Sequence, residues 1–312
     1  MPRASRRSLI AAIASLCCLP LLAAPGCKKE QPKTDPTTGA GGALDRSDAD
    51  SGPVDKTPLA GVDVSKLTGD KVETFYKLVG SMKSPCGKSH SLRTSFTSDQ
   101  SCKRAPFAVK YIAQMLVDEI PEAKVRELYT DKYEPPATPV KLDVSKAPHF
   151  GPTDAPVRLV EFYDYACPHC QAFAPQMAKV AADNDGRVVE YFMEYPLEGV
   201  PGHENSRSAA QASLAAAQLG KFKEMHEKLF AMSPNHTKEA VIGYATDLGM
   251  DAAKFTAAYD GANGQVSSDQ AQGKANDVDS TPTLFFNDRR YKGPMAAEYI
   301  DMWIEEELAV NR

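Results

Sequence analysis

The chain has 312 residues, of which 42% are apolar and 25% charged, and its formal net charge is -5. That length admits one large or two small domains, and the balance is that of an ordinary globular protein. No basic stripe interleaved with aromatic residues accompanies the acidic charge, which excludes a surface that tracks nucleic-acid phosphates.

The first segment, residues 1–27, reads as an export signal. Arg3, Arg6 and Arg7 precede an apolar run from Leu9 to Ala24, and Cys27 follows. The run is broken by Pro20 and falls short of the roughly 20 residues that a membrane-spanning helix needs. Ser5-Arg6-Arg7-Ser8-Leu9 resembles a twin-arginine motif, and Ala24-Pro25-Gly26-Cys27 resembles a lipoprotein cleavage site in which Pro25 departs from the usual small or aliphatic residue. Lipid attachment at Cys27 is the leading expectation, with plain cleavage nearby as the alternative. The expected product is a periplasm-facing lipoprotein anchored in a membrane. Lys28, rather than an acidic residue, directs it to the outer membrane if the host is Gram-negative.

Residues 28–60 are rich in Lys, Thr, Gly, Asp and Pro and nearly free of large apolar groups. Such a segment buries too little surface to offset its ordering entropy and is expected to be a disordered tether. Over 61–133 the apolar spacing turns helical, with Val72, Phe75, Tyr76, Leu78 and Val79 on one run, Val109, Ile112, Met115, Leu116 and Ile120 on a second, and Val125, Leu128 and Tyr129 on a third. A small all-α domain is predicted, its polar loop carrying Cys86 and Cys102. The stretch from Pro85 to Tyr133 is similar to the three-helix thiol domain of cytochrome c maturation proteins, but that family's second cysteine falls at Ser89, so no redox role carries over. Seven cysteines divide readily: Cys17 and Cys18 leave with the signal, Cys27 carries lipid, and four remain as two pairs. Cys86 and Cys102 are expected to form a structural disulfide.

Glu134-Pro135-Pro136-Ala137-Thr138-Pro139 opens a stiff interdomain linker over 134–146. In the second domain, 147–312, Val157 to Tyr165 reads as a strand, Pro168 to Ala182 as a helix and Arg187 to Tyr195 as a strand, which together make a βαβ unit. Helices are expected at 204–219, 221–232, 238–248, 252–259 and 296–309. A hairpin is expected to turn at Asp288-Arg289.

Cys167-Pro168-His169-Cys170 stands where the first strand of that unit meets its helix. Pro168 suits the first helical position, making Cys167 the N-cap and aiming the free N–H groups of His169 and Cys170 at its sulfur. The positive end of the helix dipole favours a thiolate there, and His169 adds a further hydrogen bond or charge. Cys170 lies deeper on the same face, so Cys167 is expected to attack and Cys170 to resolve. A zinc site would need four ligands, and His149, His203, His226 and His236 are scattered. A purely structural disulfide is a weak competitor, because so short a loop restrains the unfolded chain little. Glu161, in an otherwise apolar strand six residues before Cys167, is a candidate proton acceptor for Cys170, unless the strand alternates and turns it to solvent. Asp164 reads as a surface or loop residue.

From His149 to Arg312 the chain resembles the DsbA family of thioredoxin-fold oxidoreductases, through Glu161 to Ala166 leading into CPHC, Gly220-Lys221-Phe222 to Met225-His226, and Ser280-Thr281-Pro282-Thr283. The resemblance implies an α/β thioredoxin-like fold with an inserted helical subdomain. It also implies that Thr281-Pro282 is a cis peptide facing the redox pair, where an extended substrate segment binds; the alternative is an ordinary strand-opening proline. Asp277 and Asp279 stand close before Thr281, and negative charge near a thiol raises its pKa.

The expected activity is thiol:disulfide exchange in exported polypeptides, through a mixed disulfide at Cys167 and with a membrane redox partner. No metal or cofactor beyond the Cys167/Cys170 couple is called for. Two alternatives remain: a reductase or isomerase, for example in cytochrome maturation, and a non-catalytic module holding a soft metal.

Overall fold

The structure is a computed structural model that describes residues 53–134 and 140–311. The export segment, Cys27, most of the tether and the centre of the Pro-rich linker lie outside the described residues.

Helices α1 (Lys71–Ser81), α2 (Leu92–Thr97), α3 (Ala105–Val117) and α4 (Glu122–Tyr133) come first. The apolar runs read from the sequence form their buried faces, Phe75, Leu78 and Val79 on α1 and Val109, Ile112 and Met115 on α3 among them. The loop between α1 and α3, expected to be irregular, contains α2, whose N-cap Ser91 accepts from the N–H of Thr94 at 3.2 Å. Cys86 and Cys102 on either side of α2 are joined in a disulfide. The end of the expected tether is docked instead of free: Leu59 is buried against these helices, and Arg93 holds it by donating to the Thr57 carbonyl at 2.7 Å. Val54 packs beside Leu59, and the ion pairs Asp55–Arg93 and Lys56–Glu73 add to the hold on a segment whose composition is otherwise that of a tether.

The second part is built on a five-stranded sheet in the order β1-β3-β2-β4-β5, formed by β1 (His149–Phe150), β2 (Val157–Tyr163), β3 (Val188–Glu194), β4 (Thr283–Phe286) and β5 (Arg289–Arg290). β2 and β3 are parallel and joined through α5 (Pro168–Asp183), as the βαβ pattern predicts. β1 was not apparent from the sequence, being two residues long; it pairs antiparallel with β3. Gly151 follows it at φ +83°, where an added Cβ would lie 2.2 Å from the Val188 carbonyl, so only glycine fits. The β4–β5 turn falls at Asn287-Asp288, one residue earlier than expected, because both residues take the positive φ that a two-residue turn demands, 44° and 67°.

Five helices are inserted between β3 and β4: α6 (Ser206–Gln218), α7 (Phe222–Ala231), α8 (Lys238–Asp247), α9 (Ala252–Gly261) and α10 (Asn263–Ala275). α10 was not predicted because its few apolar positions leave little periodic signal; Val266, Asp269 and Gly273 are its buried residues. Helix α11 (Ala297–Val310) closes the chain against α3, α5 and β2.

The helical segment and the sheet were expected as separate domains, yet one apolar cluster runs through both. It joins Phe75, Ile112 and Tyr129 to Phe173, Leu284, Trp303 and Ile304. A charged seam reinforces it. Glu306, fully buried on α11, meets Arg104 at 2.5 Å, Lys132 at 3.0 Å and the Tyr133 hydroxyl at 3.0 Å, while Lys132 Nζ lies 3.5 Å from the centre of a Trp303 ring. Removing one member of such a network strands the opposite charges away from water. Glu306→Ala is therefore expected to lower the unfolding free energy by about 3–5 kcal/mol, whereas Asp279→Ala, at a solvent-screened pair with Arg290, leaves it nearly unchanged. Denaturant unfolding followed by circular dichroism checks both values.

Candidate active site

The β2–α5 junction is fastened by Asp164, which the structure buries instead of exposing. Its carboxylate accepts from the N–H groups of Ala166 and Leu197 and from His203 Nδ1, each at 2.8 Å. Its carbonyl accepts from the N–H of Cys167 at 3.1 Å. Three charge-assisted bonds compensate for burial of a carboxylate, and sequence position alone gave no sign of them.

Cys167 is the N-cap of α5 and Pro168 its first residue. Cys167 and Cys170 are free thiols, both buried, while Pro168 and His169 are exposed. The Cys167 thiol is lowered to about 4: the Cys170 thiol beside it has the largest effect, and the nearby Thr281 hydroxyl and the N–H groups of Cys170 and His169 add to it, together outweighing burial, although neither the hydroxyl nor the helix-start N–H groups make a well-formed hydrogen bond to the sulfur. The His169 ring is exposed. Cys170 is raised well above an ordinary thiol, by burial first, then by its bond to Cys167 and the charges of Glu161 and Cys167, with only the Asp164 N–H opposing.

Thr281-Pro282 is a cis peptide, and the Thr281 carbonyl lies 3.4 Å from Cys167 Sγ. The acidic residues before it do not raise the Cys167 thiol: Asp279 is exposed and engaged by Arg290, which also donates to the Asp277 carbonyl.

Below the pair, Glu161 faces inward and is 5% exposed; burial pushes it up to about 7. Glu190, on the neighbouring strand, is also buried and is raised further. It was missed because a Glu in a strand suits a solvent face. Both line a cavity of about 790 Å³ between α5, α7 and β3, whose walls include Phe150, Phe192, Phe230 and His226. His226 is driven down to about 3 by burial, so its ring is neutral, and its Nδ1 lies 2.9 Å from the Tyr165 hydroxyl.

With this geometry in view, the family comparison is decisive: the sequence profile of the family described as thioredoxin matches residues 143–306, just over half of the chain. The chain belongs to the thioredoxin family. The membership accounts for the βαβ unit carrying the cysteine pair and the cis-proline segment opposite it. Among curated relatives, the Na(+)/H(+) antiporter NhaA 3 of Salinispora tropica is 33% identical over 166 residues, covering 52% of this chain and 25% of its own. NhaA 1 of Mycobacterium sp. strain KMS is 34% identical over 151 residues, 47% of this chain and 24% of its own. The chain thus spans about a quarter of the length of these curated relatives. Among solved structures, oxidised BdbD from Bacillus subtilis is 28% identical, with a TM-score of 0.49 over 55% of this chain and 98% of that one. A thioredoxin-like oxidoreductase from Silicibacter pomeroyi is 27% identical, with a TM-score of 0.45 over 51% and 91%.

A thiol lowered this far reacts as thiolate throughout the neutral range. The rate of Cys167 alkylation by iodoacetamide is expected to be flat from pH 8 to about 6 and to halve as pH falls to about 4. Mass-spectrometric counting of carbamidomethylated Cys167 across that range, in the reduced protein with Cys170 present, checks it; a midpoint near 8.5, that of a free thiol, would contradict the site's electrostatics.

Proposed function

We propose that this thioredoxin-family protein is a thiol:disulfide oxidoreductase that introduces disulfides into exported polypeptides. The observation that carries the reading is the asymmetry of the pair, with one thiol stabilised as thiolate at the helix start and the other shielded and held protonated behind it. A thiolate that gains this much stability favours the reduced pair, and so makes the oxidised pair a strong acceptor of electrons.

In the proposed cycle a client thiolate attacks the Cys167 sulfur of the Cys167–Cys170 disulfide. The S–S bond breaks, Cys170 leaves with the electron pair and takes up a proton, and client and protein are joined by a mixed disulfide. A second client thiolate then attacks the client sulfur and Cys167 departs as thiolate. The client has lost two electrons and two protons. The reduced pair returns its two electrons to a membrane redox partner, and no cofactor beyond the cysteine couple is needed. Thr281 and Pro282 would hold the client in an extended form.

Cys170→Ala is expected to accumulate dithiothreitol-sensitive adducts with cysteine-containing exported proteins, and Cys167→Ala to form none. Equal trapping by both, or by neither, would overturn the assignment of attack to Cys167 and resolution to Cys170. The direction is read separately from the equilibrium with glutathione. A potential well above thioredoxin's, about -270 mV, fits an oxidase, and one at or below it assigns the reductase direction.

The same reading places the protein on a membrane through lipid at Cys27. Cys27→Ser is expected to turn a membrane-associated protein into a soluble one on fractionation, and full solubility of the wild type would refute the anchor.

A further inference from the structure

Glu161 and Glu190 stand on the same face of adjacent parallel strands, where Leu159 is opposite Glu190 and Glu161 opposite Phe192, so the two carboxyls are diagonal neighbours. Both are buried and each perturbs the titration of the other, and a hydrogen bond between two carboxyls requires that one of them carry the proton. The remaining question is which one keeps it. Glu161 is the member whose charge reaches Cys170. Glu190 is 3% exposed, and its Oε1 has no protein partner; it looks into the cavity. An ionised Glu190 would leave that oxygen charged and unpaired among Phe150, Phe192 and Met177, an arrangement that apolar surroundings disfavour.

We propose that Glu190 is a positioning residue that keeps its own proton, donates it as a hydrogen bond to Glu161, and thereby sets the pH range in which Glu161 exchanges a proton with Cys170. This rests on the reading of Cys167 and Cys170 as an exchanging pair. When Cys170 attacks the Cys167 sulfur of a mixed disulfide, its S–H proton passes to Glu161, the Cys167–Cys170 bond forms, and the partner thiol leaves with the electron pair. The two carboxyls then hold two protons and no charge; before the step they hold one proton and one charge. The proton leaves through the cavity, whose rim is formed by Asp185, Lys223 and Glu227. The other titratable groups facing the dyad are His226 of α7, neutral by burial, and His149 of β1. Among the described lining residues Lys223 is the one Lys or Arg, and it stands at the rim, so the donor that steadies the Glu161 charge is Glu190 itself.

The resolving step is read directly by mixing reduced full-length protein with a dithiobis-nitrobenzoate reagent. Attack by Cys167 releases the first coloured thiol, and attack by Cys170 the second. In Glu190→Leu, which fills the space without donating, the first phase is expected to be unchanged. The second phase is expected to have its pH midpoint raised by about one unit, so that it slows roughly tenfold near neutrality. Glu190→Gln, whose amide still donates, is expected to keep the wild-type midpoint, a rescue that space-filling alone would not produce. Coincidence of the Leu and wild-type profiles, with Glu161→Gln still slowed, would overturn the role of Glu190 and leave the redox pair intact. Failure of wild type to release a second equivalent would instead overturn the exchanging pair. If Glu190→Leu does not fold, the wild-type-minus-Glu190→Gln infrared difference spectrum of the reduced protein decides: a protonated-carboxyl band at neutral pH is expected, and its absence would refute the proposal.

Discussion

Cys167 Sγ sits at the N-terminal end of α5, beside the N–H groups of its first turn, the Thr281 side chain and the Cys170 thiol, all of which favour its thiolate. Such donors stabilise a thiolate only if they are already in place when the charge forms, since reorienting them would consume what they give. The surroundings of this contact therefore act as its support. Asp164 fixes the strand-to-helix turn from below with three bonds to its carboxylate, and the Thr281-Pro282 segment closes it from the other side. The helical insertion covers it, because Cys167 and Cys170 belong to the same apolar cluster as Ala212, Met225 and Phe230.

The same burial acts oppositely on the second thiol. Cys170 lies one turn deeper, without the helix-start donors, and faces the Glu161 charge. One environment thus separates two chemically identical groups into a stable anion and a stable acid. Beneath them the polar groups form a connected chain: the Tyr163 hydroxyl donates to Glu194 at 2.6 Å and lies 3.0 Å from that of Tyr165, which in turn meets His226. Buried networks of this kind hold their members in one arrangement, and here that fixes the His226 ring in the cavity wall.

Much of the site was legible because its chemistry is local. A CxxC at a strand-to-helix junction, a proline at the first helical position and a Thr-Pro before a strand are all short-range patterns, and so are the apolar runs of α1, α3 and α5. What escaped is set by distant packing. Glu190 and Glu194 alternate with Tyr191 and Met193 in a way that, taken alone, suits a half-solvated strand. Both are buried because α5 and the inserted helices cover that face, a fact held in other parts of the chain. Asp164 has the same history, its partners coming from residues 197 and 203. Leu59 looked like part of a tether because the surface that receives it is formed by helices farther along.

The shared core gives residues 53–134 a mechanical place in the fold. Phe173, Met177 and Val180 on the later turns of α5 pack in the cluster that contains the N-terminal helices and α11, whereas Cys167 and Cys170 on its first turn pack with the insertion. Helix α5 is therefore held at its two ends by different parts of the chain. Tilting its first turn to expose Cys170 would pull its later turns out of a close-packed cluster, and cores of that density yield little. The charged seam at Glu306 strengthens this hold by binding α11 to Arg104 and Lys132. The segment before the thioredoxin unit thus touches neither thiol, yet it packs in the cluster that holds the later turns of the helix beginning at Cys167.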